Sequence, residues 1–241
     1  AGNDVYLSID ANLQKAAYDL LEEKIAGIVV AKMANVMNYD RSQLTDESDV
    51  IIPIDDVYNA FISNEILDTG HFEDPDAKST EQAVYQAYIT RHEEVISEVL
   101  EQLGNPNAPA YKECSKEMQA YLSYVISDLL TTNAKILQTD KIDTKDKTYL
   151  AWEEDETISL YTYLNYAISQ NWIDTSKLKE YMDEESSYSD LGETYQGLVN
   201  FIGKKLSTDS GFEKLIYKYM IKTGRITGTQ ICLLLYEQEV L

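Results

Sequence analysis

The sequence predicts an all-α fold: an irregular multi-helix bundle of stacked helical hairpins with a short N-terminal β-strand. Three observations carry this. Glycine (10) and proline (4) are scarce among 241 residues, and both break helices. Apolar residues recur at three- and four-residue intervals through most of the chain, which places them on one helical face. A hairpin-like segment also occurs three times. With 44% hydrophobic residues, the chain has the apolar side chains a core needs.

Val5, Leu7 and Ile9 alternate with Tyr6 and Ser8, a short strand pattern. Asp10 then stands where an N-cap belongs. Leu13, Ala16, Ala17, Leu20, Leu21 and Ile25 follow at helical spacing, and Ile28, Val29, Met33 and Val36 continue it. One helix from Asp10 to about Met37 would be roughly 40 Å long. Gly27-Ile28-Val29-Val30 also fits a strand, since periodicity does not separate the two in so short a run. Residues 38–51 are polar and irregular, a loop. Further helices are expected at about 53–66, 79–103, 113–138, 158–171, 174–184, 190–206, 210–223 and 227–238. Ser79 with Gln82 resembles a capping box, and Thr80 is a second candidate cap. Gly104-Asn105-Pro106 ends the third helix. Residues 139–157 are charged, with a short helical turn near Tyr149–Trp152, and read as a loose connection.

The repeat spans Ile52–Leu67, Ile158–Ile173 and Ile226–Leu241. Each copy opens on Ile followed by Pro53, Ser159 or Thr227, residues suited to a first turn or a cap. Each then carries an apolar helix and ends in a small polar turn before an apolar pair: Ile66-Leu67, Trp172-Ile173 and Val240-Leu241. Asp68 and Asp174 follow the first two pairs and can cap the next helix. The third copy stops before such a residue, so the native chain is expected to continue past Leu241.

The net charge of −22 repels phosphates and anionic lipid, which argues against nucleic-acid or membrane-surface binding and leaves solubility or a cationic partner. No run approaches the length of a membrane span. Cys114 and Cys232 match neither a zinc spacing nor a disulfide scaffold. Cys232, inside the apolar run 231–235, is expected to be a small buried hydrophobe. His71 and His92 are the only histidines; no His-Glu-x-x-His spacing exists, so no metal or cofactor is expected. His92 is expected on a solvated face. Glu153-Glu154-Asp155-Glu156 lacks the pattern of a calcium loop and reads as a solvated run, with loose cation binding as the alternative. The 19 tyrosines suit either a core or a stacking surface. Tyr161, Tyr163 and Tyr166 with Trp172 form the candidate ligand or partner surface.

Three strings invite comparison with the serine enzymes that bind β-lactams: Ser176-Lys177-Leu178-Lys179, Ser169-Gln170-Asn171 and Lys222-Thr223-Gly224. In those enzymes Ser-x-x-Lys supplies the nucleophile, and the Lys-Thr-Gly lies on a strand beside it. Here the order is wrong, because the nucleophile motif should come first. Each string also has a local reading. Ser169 lies in the hairpin turn, Ser176 stands at a helix start, and Gly224 is an αL cap after Lys222 at the negative end of a helix. No catalytic residue is assigned.

The opening, Asp4-Val5-Tyr6-Leu7-Ser8-Ile9-Asp10-Ala11-Asn12-Leu13-Gln14-Lys15-Ala16-Ala17, resembles the start of the transpeptidase domain of class B penicillin-binding proteins. There a strand ending Leu-Thr-Ile-Asp leads into a helix beginning near Leu-Gln; Ser8 replaces the threonine. Gly27-Ile28-Val29-Val30-Ala31 resembles the start of the family's next strand, after which the sequence departs. The resemblance implies that residues 1–30 begin a transpeptidase-like domain. Residues 31–241 are then a helical insertion, similar to those in penicillin-binding proteins of clostridia-related Gram-positive bacteria. It further implies a parent enzyme that cross-links peptidoglycan outside the cell membrane, anchored by a segment not in this sequence, with its catalytic serine downstream of residue 241. On this reading the chain is non-catalytic and serves interaction or positioning. Its partners would be the rest of the parent transpeptidase, another cell-wall synthesis protein or peptidoglycan. The alternative is a stand-alone acidic helical scaffold.

Overall fold

The computed structural model describes residues 10–44, 46, 49–182 and 191–241. The expected strand at Val5–Ile9 and the end of the expected 174–184 helix lie outside them. The chain divides into two compact units at Leu67/Asp68.

In the first unit, α1 (Ala11–Lys32) begins where Asp10 caps it, its carboxylate accepting from the Asn12 and Leu13 N–H groups at 2.8 and 3.1 Å. The helix runs unbroken through Gly27, so the strand reading of residues 27–31 is corrected. No side chain lies near Gly27 to disfavour the helix, and its neighbours complete the i→i+4 bonding. α1 ends earlier than Met37, because Met33–Ala34 (β1) leaves the helix to pair in parallel with Ile52–Pro53 (β2). The loop between them includes a 3-10 turn, Arg41–Gln43, and Arg41 bonds Asp56 at 3.0 Å. α2 (Ile54–Ser63) follows β2 directly. α1 buries none of its residues, and eight large apolar side chains on it, Leu13 and Ile28 among them, are exposed.

The second unit is built around α3 (Ser79–Gly104). Its buried positions are Glu81, Val84, Tyr88, Arg91, Val95, Val99 and Leu103, the three- and four-residue rhythm of one helical face. Val95, Val99 and Leu103 have no exposed surface, and each such burial stabilises by about 1.5–3 kcal/mol. Five helices lie against α3: α4 (Lys116–Tyr124), α6 (Leu160–Ser169), α7 (Leu191–Leu206), α8 (Ser210–Lys222) and α9 (Gly228–Glu237). α5 (Lys147–Glu153) packs on α6. Arg91 pairs with Glu94, Glu98 and Glu117 at 2.8–3.1 Å, so the buried cation is met by two carboxylates of its own helix and one of α4.

The sequence expects one helix over 113–138. It is α-helical only as far as Tyr124 and π-helical over Val125–Asn133. The i→i+5 spacing is visible where Ala134 N–H donates to the Leu129 carbonyl (2.9 Å) and the Thr132 hydroxyl donates to the Ser127 carbonyl (2.8 Å). The expected helix at 174–184 is a 3-10 helix over Thr175–Tyr181, capped by Asp174.

The repeat is visible in the backbone. Glu65, Asn171 and Glu239 occupy the same place in the three copies, and each has φ 58°. The amide after each folds back to the helix, Ile66 to Phe61, Trp172 to Ala167 and Val240 to Leu235, a left-handed C-terminal closure. Lys135 and Glu156 also have positive φ, and the amides after them, Ile136 and Thr157, return to Leu130 and Ala151; after Gly224 the returning amide is Ile226, to Met220. Asp68 and Asp174 cap the 3-10 turns that follow, while Ser159 and Thr227 cap α6 and α9.

Cys232 is exposed rather than buried. Ile231, Leu234 and Leu235 take the inward face of α9, and position 232 falls on the other side.

Candidate functional site

Residues 139–157, read in the sequence as a loose connection, are mostly exposed, but they bury Trp152 and help wall a cleft. Asp146 caps α5, accepting from Thr148 and Tyr149 N–H, and its second oxygen accepts the Tyr166 hydroxyl at 2.7 Å. These bonds, outweighing burial, hold the Asp146 carboxyl below its usual range. Trp152 is thereby fixed against Tyr163, stacked at 5.2 Å, with Tyr111 edge-on at 5.1 Å. The Tyr111 hydroxyl lies 2.6 Å from the Ser123 hydroxyl and 3.1 Å from the Gln119 carbonyl.

These rings form the floor of a cleft of about 520 Å³, within the range of ligand sites. The π-helix makes one wall with Ile126, Ser127, Thr131 and Thr132. Because 126/131 and 127/132 are five apart, it is the π winding that brings them to one face. Leu137, Thr139, Ile142 and Thr144 continue that wall, and Tyr149, Glu153 and Glu156 face it. Among the described residues no Lys, Arg or His lines the cleft, and neither glutamate side chain has a hydrogen-bond or ion-pair partner. Burial and the negative charges of Glu153 and Glu154 push the Tyr149 phenol up from its ordinary value. Burial, reinforced by Glu153, raises Tyr163 likewise.

No protein family, curated protein or solved structure matches this chain.

Of the four aromatic residues singled out in the sequence, three stay together around Trp172 and Tyr161 turns to another neighbour. Tyr163 and Trp172 are buried, with rings 6.5 Å apart. Tyr166 stands edge-on to Trp172 at 5.5 Å. Tyr161, half-buried, packs on Tyr195 at 5.1 Å. Of the four, Tyr163 alone reaches the cleft. The three short strings serve local ends. The Ser176 hydroxyl donates to its own cap, Asp174, at 2.6 Å, and Lys177 Nζ donates to the carbonyls of Ala134 and Lys135. Ser169 donates to the Tyr166 carbonyl. Thr223 donates to the Tyr219 carbonyl at the end of α8, where Gly224 has φ 74°.

A second polar cluster gathers at the start of α3. Glu81, fully buried, accepts from His71 Nδ1 (2.8 Å), the Gln238 amide (2.8 Å) and Lys78 N–H (2.6 Å). Glu237, 157 residues along, accepts the Thr80 hydroxyl at 2.7 Å and lies against the Thr80 and Glu81 N–H groups. α3 is therefore capped from the far end of the chain as well as by Glu81, not by the Ser79/Gln82 box. His71, Asp74 and Asp76 bring one potential ligand atom each within 4.8 Å of one another, an arrangement not singled out in the sequence. His92 is half-buried beside Tyr88, 5.4 Å ring to ring.

The sequence singled out Tyr163 and the run containing Glu153 and Glu156, but not their common cleft. Tyr111, Ser123 and the π-helical hydroxyls carry no motif, and nothing in the sequence marks them as neighbours. Among the described residues no helix is long and apolar enough to cross a membrane.

Proposed function

We propose that this chain is a non-catalytic helical module of a class B penicillin-binding protein and serves peptidoglycan synthesis by binding or positioning a partner. The observation that carries the parentage is the opening segment. Its Ile9-Asp10 step is followed by a helix that starts at Ala11 under an Asp10 cap, as the family's strand-to-helix opening requires. The likeness ends within α1, which continues to Lys32 where the family turns to a strand. The binding role is supported by the cleft: a packed aromatic floor, a hydroxyl-bearing wall and two glutamates without partners, all on the larger unit. The partner is the remainder of the parent transpeptidase, a second cell-wall synthesis protein or peptidoglycan itself, at the outer face of the membrane.

The experiment is to read the gene past the codon for Leu241. Ser-x-x-Lys, then Ser-x-Asn, then Lys-Thr-Gly at transpeptidase spacing is the expected result. A stop codon close to Leu241 overturns the parentage and leaves a stand-alone acidic scaffold.

A further inference from the structure

We propose that the cleft between the π-helix and α5 binds a basic side chain, a lysine ammonium or arginine guanidinium, presented by an extended peptide segment. This rests on the binding-module reading above and gives its site a ligand class.

Charge comes first. Glu153 and Glu156 line the cleft without an ion-pair partner, and no basic residue lines it among the described residues. On a chain of net charge −22, an anionic ligand is excluded electrostatically and a cation is drawn in. A surface run of glutamates alone would say little. Here the two carboxylates share a recess with hydroxyl oxygens of Ser127, Thr131 and Thr132, which the π winding turns to one side. An ammonium has three donors and a guanidinium five, and neither accepts; a wall of oxygens suits both.

The aromatic residues decide between a cation and a sugar. A flat sugar ring needs an open aromatic face. Trp152 has none to offer, since Tyr163 stacks on it and Tyr111 meets it edge-on. Tyr149 lines the same cleft with no ring partner among the described residues, and its phenol lies in the field of Glu153. A lone ring beside a carboxylate is the arrangement that holds a cation by its π face and its counter-charge together. The volume of about 520 Å³ admits a long side chain together with the backbone around it.

The test uses the full chain labelled with 5-fluorotryptophan. Its two tryptophans, Trp152 at the cleft and Trp172 away from it, give two fluorine signals, assigned from the Trp152→Phe protein. Acetyl-Gly-Lys-Gly-amide is titrated in, and acetyl-Gly-norleucine-Gly-amide serves as the uncharged control. The expected result is a saturable shift of the Trp152 signal alone by the lysine peptide, with binding weaker by on the order of tenfold for norleucine and for the Glu153→Gln/Glu156→Gln protein. Equal binding of the two peptides overturns the proposal. So does an unmoved Trp152 signal, equal binding by the double variant (general attraction to an acidic surface), or a shift produced by N-acetylglucosamine oligomers but not by lysine. The peptide comparison needs no variant, so a variant that fails to fold does not blunt it. None of these outcomes depends on what lies downstream of Leu241, so this inference and the cell-wall parentage fail separately.

Discussion

Glu81 is a carboxylate with no exposed surface, and what keeps it ionised is local. Burial pushes its pKa up, but the Lys78 N–H, the Gln238 amide and His71 together outweigh that and hold it below its ordinary 4.5. The Glu81 hydrogen bond raises His71 above its ordinary 6.5, against the opposing effect of burial. The signs then follow. The His71 contribution to stability is complete below about pH 6.5 and is lost as pH rises through the raised folded value. The Glu81 contribution is complete above about pH 4.5 and is lost as pH falls through the lowered folded value. The pair therefore stabilises most between those limits. In urea unfolding from pH 5.5 to 8.5, His71→Gln should flatten the fall in stability with rising pH while still donating a hydrogen bond to Glu81. An unchanged slope would show that His71 does not titrate against Glu81. Ser176 makes a second prediction at this scale. Its hydroxyl is spent on Asp174, and the lysine beside it is held by the carbonyls of residues 134 and 135. Intact mass after prolonged exposure to a fluorescent penicillin should show no adduct. A stoichiometric adduct lost in Ser176→Ala would make this chain an acylating enzyme.

α3 is the element on which the larger unit rests, and its first turn is closed by Glu237 from the far end of the chain as well as locally by Glu81. Removing an N-terminal cap costs about 1 kcal/mol, so Glu237→Ala should lower unfolding free energy by about that much. Glu237→Gln, which keeps one acceptor oxygen, should cost less. If Glu237→Ala melts with the wild type, the cap has no energetic weight. Such a cap is illegible in sequence because its donor and acceptor are 157 residues apart. Local caps were legible: Asp10, Ser159, Asp174 and Thr227 all act within three residues. So were the repeat ends, because a polar residue followed by an apolar pair is the trace of a left-handed closure. Glu65 and Glu239 hold that conformation without being glycine, at roughly 1 kcal/mol each, offset by the carbonyls the closure satisfies. The π segment was not legible. Over nine residues the apolar pattern of Val125, Ile126, Leu129 and Leu130 fits i→i+4 and i→i+5 winding alike, and the cleft depends on which one forms.

At the scale of the molecule, the two units differ in how their helices are held. α3 sets Val95, Val99 and Leu103 beyond reach of water, and α4, α6, α7, α8 and α9 all lie against it. Opening any part of that face exposes apolar surface on several elements together, so its amides should exchange only through unfolding of the whole unit. α1 buries none of its 22 residues. Its stability comes from propensity, from the Asp10 cap and from i→i+4 bonding, and an isolated helix of that length is marginal in water. α1 is marked in the sequence by apolar residues at helical spacing just as α3 is, which shows why periodicity predicts a helix but not its protection. Hydrogen exchange at neutral pH should separate the two. The amides of residues 14–30 should exchange many orders of magnitude faster than those of residues 92–103, with no cooperative phase in common. Protection of α1 equal to that of α3 would mean that the apolar side chains exposed on α1 are covered in solution.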